Sequence, residues 1–197
     1  MYYYGGATAV GVRTNNGVVL GAERRFSYGG FIMSKAAKKV YIITDNIGMA
    51  AAGLIADMQA IAKSIRAEIK YYELTVQKRA SVRAVSKLMA NMLYSYKFMP
   101  LMSEILVGGI DDSGIHLYIM DPVGSLIEDN YASIGTGAPI AIGIIESAYR
   151  PDLDISEAKE LVIKALKAAL SRDSMSGDGI DLLVITREGI HEEFVKI

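Results

Sequence analysis

The sequence of 197 residues contains no cysteine. That excludes disulfides, thiolate nucleophiles and thiolate metal sites. Histidine is nearly absent too, with only His116 and His191. They fall on separate predicted strands, so no transition-metal site is expected and no cofactor is called for. Charge of one sign is lacking: 21 basic against 22 acidic side chains leave a net charge of −1. No Lys/Arg-rich stripe offers a phosphate backbone a partner, so nucleic acid is not expected as a ligand. Long apolar runs are also missing. The uncharged stretch Asn130–Ile145 is broken by Asn, Ser, Thr and Pro, so no membrane span or membrane partner is expected. Residues Met1–Gly6 lack the basic start and apolar core of a secretory signal, and the expected location is cytoplasmic.

What is present is a hydrophobic content of 51% and a mean hydropathy of +0.25. These values are high for a monomer and point to surface buried against neighbouring subunits. The length suits one domain with a sizeable core. Met89, Met92, Met99 and Met102 are read as core and subunit packing, since methionine adapts to irregular contacts.

Strand signals fill the first third. Thr8–Arg13 and Val18–Phe26 flank Asn15-Asn16-Gly17 and read as a hairpin. Tyr28-Gly29-Gly30 reads as a turn, followed by strands over Lys39–Thr44 and Gly48–Gly53. Helical periodicity starts near Ala56, with Met58, Ile61, Ile65 and Ile69 on one face. A second helix is predicted over Ser81–Tyr96. Strands return over Glu104–Ile110, Ile115–Asp121 and Leu126–Ser133. Helices follow over Pro139–Tyr149 and Ser156–Ser171, the latter capped by Ser156. Strands over Asp181–Thr186 and His191–Val195 close the chain. Few connections are long enough for repeated parallel crossovers, so antiparallel sheets with helices on their outer faces are expected.

Several short strings stand at telling intervals: Gly5-Gly6-Ala7-Thr8-Ala9-Val10-Gly11, Gly21-Ala22-Glu23-Arg24-Arg25, Lys35-Ala36-Ala37-Lys38-Lys39, Ala51-Ala52-Gly53, Gly135-Thr136-Gly137 and Arg172-Asp173-Ser174-Met175-Ser176-Gly177. In this order they resemble the proteasome β-subunit family in its archaeal form. The resemblance implies an α+β fold, a four-layer αββα sandwich of the N-terminal-nucleophile hydrolase type. It also implies a 20S core particle in which β subunits form seven-membered rings stacked against rings of α subunits. Unfolded polypeptide would be the substrate, fed by an ATP-dependent unfoldase through the α ring.

In that family an N-terminal Thr, freed by self-cleavage after a Gly, is the nucleophile. Its hydroxyl attacks and its α-amine, titrating near ~8, serves as base. The Gly falls on Gly6 and the Thr on position 7, where this chain has Ala7. Without a hydroxyl there, both self-cleavage and peptide hydrolysis should fail. Residues 1–6 should then stay attached as a leader to the domain of residues 7–197. The resemblance makes Lys39 the catalytic cation, Glu23 its acidic partner and Gly53 the oxyanion donor. Thr136 stands where the family usually has Ser, and with Asp173 and Ser176 it surrounds the amine. Phe26, Ala37, Ala51 and Ile55 map to the first substrate pocket, with Ser27 holding substrate backbone. Lys38 reads as a solvated strand end. Thr8 is no substitute nucleophile, because alternation turns it to the opposite face from position 7. A Thr-to-Ala exchange in an otherwise intact site best accounts for this pattern. The alternatives are a non-catalytic subunit that shapes the ring, and an amidase of the same fold acting on small molecules.

Overall fold

A computed structural model describes residues 6–28 and 30–197. The expected leader residues before Gly6, and Gly29 of the expected turn, lie outside the described residues.

Two five-stranded sheets are stacked. The first has the order β10-β1-β2-β11-β12, made of Tyr131–Gly135, Thr8–Arg13, Gly17–Glu23, Ile180–Thr186 and Gly189–Val195. The second has the order β5-β6-β7-β8-β9, made of Val40–Thr44, Ile47–Gly53, Ser103–Asp111, Gly114–Met120 and Ile127–Glu128. A small hairpin, β3 (Phe26–Tyr28) and β4 (Phe31–Ser34), stands apart. All these pairings are antiparallel. Helices α1 (Ile55–Val76) and α2 (Val82–Ser95) cover the second sheet, and α3 (Ala138–Ala148) and α4 (Ile155–Leu170) cover the first. The expected αββα sandwich is the observed one.

Strand alternation sorts side chains into three apolar layers. On β2, Val18, Leu20 and Ala22 enter the space between the sheets, while Val19 meets α4. Ala7, just before β1, and Ala9 on it face between the sheets, and Val10 and Val12 face the helices. The predicted α1 face, Met58, Ile61, Ile65 and Ile69, is buried against the second sheet. Glycine allows the sheets to approach closely. A Cβ at Gly48 would lie 2.8 Å from a Leu183 methyl, and one at Gly108 2.6 Å from a Val18 methyl. Among the described residues no helix is long and apolar enough to cross a membrane.

Three sequence expectations need correction. The strand predicted over Val18–Phe26 stops at Glu23, because the Arg25 N–H bonds the Glu23 carboxylate instead of a strand neighbour. The strand predicted over Leu126–Ser133 is two strands in different sheets. At the crossing, the Asn130 carbonyl accepts from the Arg13 N–H, and its side-chain oxygen accepts from the Arg13 guanidinium. The cap of α4 is Asp154, not Ser156. Asp154 accepts from the Glu157 N–H at 2.8 Å, while Glu157 accepts from the Asp154 N–H at 2.9 Å. This reciprocal box satisfies two backbone donors that a helix start leaves open. Ser81, the first residue of the predicted second helix, is the cap of α2.

Asp154→Ala should therefore lower the unfolding free energy by about 1 kcal/mol. Ser156→Ala, on the exposed first turn, should cost less than about 0.5 kcal/mol. Urea denaturation of the two variants checks the assignment, and equal losses would refute it.

Candidate active site

The site lies where the start of β1, the ends of β2 and β6, the approach to β5 and the segment after α4 meet. Its charged half is a buried ion pair. Lys39 is 1% exposed and Glu23 fully buried. The Lys39 Nζ donates to Glu23 Oε1 and, at 2.6 Å, to the Arg25 carbonyl. The second Glu23 oxygen, Oε2, accepts the N–H groups of Arg25 at 2.7 Å and Gly177 at 2.9 Å. Both carboxylate oxygens are thus satisfied, which a buried charge requires. Burial pushes the Lys39 ammonium below the ordinary lysine range, against the pull of Glu23. Burial pushes Glu23 upward, opposed by Lys39 and by the two backbone donors.

The polar half is a chain of hydroxyls around one carboxylate. Asp173 Oδ2 accepts from Thr136 Oγ1 and Ser176 Oγ, each at 2.6 Å. Asp173 Oδ1 accepts the Met175 N–H at 3.1 Å. The Ala7 carbonyl accepts the Thr136 N–H at 2.8 Å, and Thr136 Oγ1 lies 3.3 Å from the same oxygen. Asp173 also acts on the charge of Lys39, so the two halves sense each other. Ala7 is 1% exposed and faces between the sheets. Gly6 is pressed against Met175 and Thr136, leaving no room for a Cβ.

Thr8 lies on the helix side of β1, as alternation requires. Its hydroxyl is nonetheless engaged, 2.7 Å from Ser176 Oγ and 3.5 Å from Asp173 Oδ2. It is fully buried. The sequence reading had not placed it with these two residues. Asp173 and Ser176, three and six residues beyond the end of α4, carry no local sign of such a long-range partner.

Beside this centre is a narrow cleft of about 30 Å³. Phe26, Ser27, Gly53 and Ile55 line it, together with Gly6, Arg25, Tyr28 and Leu54. The Ser27 hydroxyl points to the Met175 sulfur at 3.9 Å. Gly53 has φ +126, and a Cβ there would run into the Met102 carbonyl, so glycine is required on both counts. Two expected pocket residues stand outside the lining. Ala51 is fully buried under α1 and α2, in the apolar cluster against which the cleft residue Ile55 packs. Ala37 is half-buried and donates its N–H to the Arg24 carbonyl. Lys38, half exposed, pairs with Glu192 at the surface.

The chain matches the family model described as "Proteasome subunit" over residues 3–185. It is 62% identical over 189 residues to "Proteasome subunit beta 1" of Hyperthermus butylicus, covering 95% of this chain and 93% of that protein. It is 55% identical over 192 residues to "Proteasome subunit beta 2" of Pyrobaculum calidifontis, covering 98% and 95%. A third relative, "Proteasome subunit beta 1" of Ignicoccus hospitalis, is 53% identical over 180 residues, covering 91% and 90%. Similarity of this extent, over a fold and a polar centre of this form, means that the chain belongs to the proteasome subunit family, among its archaeal β-type members.

Proposed function

We propose that this chain occupies a β position of the 20S core particle as a subunit without a nucleophile of its own, with residues up to Gly6 retained as a leader. The observation that carries the reading is Ala7, a methyl group at the position flanked by Thr136, in a site whose other polar members are present and hydrogen-bonded. As a member of the family the chain assembles with α and β subunits. The family is generally one of threonine proteases, and the remaining assignments follow its chemistry.

With Thr at position 7, the hydroxyl would attack the Gly6 carbonyl and release the α-amine. That amine, among Thr136, Asp173 and Ser176, would then act as base for each later attack on substrate. Lys39, held by Glu23, would offset charge developing on the hydroxyl oxygen. The Gly53 N–H would stabilise the tetrahedral oxyanion. The apolar walls from Phe26 and Ile55 suit a large apolar residue before the scissile bond. Unfolded polypeptide is the proposed substrate, delivered through the α ring by an ATP-dependent unfoldase in the cytoplasm. No metal or cofactor takes part in this scheme.

Two histories produce such a chain: a Thr-to-Ala exchange in a catalytic subunit, or a subunit that serves beside a catalytic β chain of another type. The codon at position 7 of the natural gene decides between them.

Two outcomes are expected. Assembled with its α subunit alone, the chain as written should keep its leader and hydrolyse no peptide. Ala7→Thr should bring self-cleavage after Gly6 and peptidase activity together, with preference for large apolar residues. Intact-mass spectrometry and a panel of fluorogenic peptides measure both. A new N-terminus at Ala7 in particles without any active subunit would contradict the reading. In the Ala7→Thr background, Lys39→Ala should lower kcat by about a thousandfold, in the range seen when preorganised charge stabilisation is removed. Lys38→Ala, at the surface, should change it less than about twofold. Equal losses in the two would show that the wrong lysine is assigned.

A further inference from the structure

We infer that Arg25 is a positioning residue whose guanidinium fastens the Ser174–Asp178 turn onto the Glu23–Lys39 pair. The inference rests on the proposed reading of that pair as the charged part of the site.

Arg25 touches every part of this assembly. Its backbone N–H donates to Glu23 Oε2, and its carbonyl accepts from Lys39. Its Nε donates to Asp178 Oδ2 at 2.8 Å, and a terminal nitrogen donates to the Ser174 carbonyl at 2.9 Å. Between these two bonds the guanidinium lies against Gly177, where any Cβ would overlap it. Gly177 in turn supplies the other N–H to Glu23 Oε2. The two donors on that oxygen therefore come from segments about 150 residues apart. The Arg25 side chain spans the two ends of the second segment.

The turn needs such a fastening. Asp178 has φ +70, a left-handed conformation that is unfavourable for a residue with a side chain. Neither neighbouring cation can take the place of Arg25. Lys35 Nζ is 3.8 Å from the other Asp178 oxygen on a largely exposed side chain. Arg24 points elsewhere, to Asp181 at 3.2 Å and over the Phe194 ring at 4.5 Å. A lysine at position 25 would keep the charge but lose the planar fork that serves two acceptors while lying flat on Gly177. Asp173 and Ser176 are bonded to each other at the start of this segment. Fixing the turn thus sets the polar half of the site at one distance from Lys39.

Two measurements test this. In the chain as written, Arg25→Lys should raise amide hydrogen exchange across residues 173–178 about tenfold or more, with α1 unchanged. In the Ala7→Thr background, Arg25→Lys and Asp178→Asn should each lower kcat about tenfold with KM within about twofold. The double variant should be no worse than either single one, because both break the same interaction. Unchanged exchange in Arg25→Lys overturns the inference. Full kcat in an active Ala7→Thr protein carrying Arg25→Lys also overturns it. So does a loss confined to KM, which would make Arg25, a residue of the cleft lining, a substrate-binding group. An inactive Ala7→Thr protein would count against the proposed function, and hydrogen exchange would then decide the inference alone.

Discussion

Everything at the polar end of this sandwich is arranged around one constraint: a lysine ammonium buried to 1% exposure must have a paired and fully hydrogen-bonded partner. Removing one member of such a pair typically costs roughly 3–5 kcal/mol, because the other is left uncompensated. Glu23 meets the demand with one oxygen on Lys39 and the other on two backbone N–H groups. Those donors dictate where strand β2 must stop and where the segment after α4 must run. The pair is thus a structural knot as well as a chemical group.

A second consequence concerns Ala7 itself. Its polar neighbours bond one another. Asp173 is shared by Thr136 and Ser176, Ser176 meets Thr8, and Thr136 donates its N–H to the Ala7 carbonyl. The network closes without position 7 contributing more than backbone. The shape around position 7 is thus held by hydrogen bonds that need no side chain there. The exposed apolar residues of the β3–β4 hairpin, Phe31 and Met33 among them, fit a subunit that is not meant to stand alone.

Local sequence determined much of the framework. Period-two alternation on β1 and β2 and the three-four spacing of Met58, Ile61, Ile65 and Ile69 gave element types and buried faces. The same alternation separated Ala7 from Thr8 on opposite faces of one strand. Spaced strings carried the likeness to a family, and with it the pairing of Glu23 with Lys39. These features are legible because strand and helix periods are local and because a buried acid and a buried base each need the other.

Tertiary structure alone decided the rest. The division of Leu126–Ser133 between two sheets depends on Arg13, more than a hundred residues away. The choice of Asp154 over Ser156 depends on which residue turns first into helical dihedrals. Ala51 is closed over by α1 and α2, in the cluster against which the cleft residue Ile55 packs. Arg24 and Arg25 are indistinguishable as neighbours in sequence, yet one stacks on Phe194 and the other grips the Ser174–Asp178 turn. What differs between them is the partner brought to each by the fold. Such partners come from distant segments and leave no periodic trace along the chain.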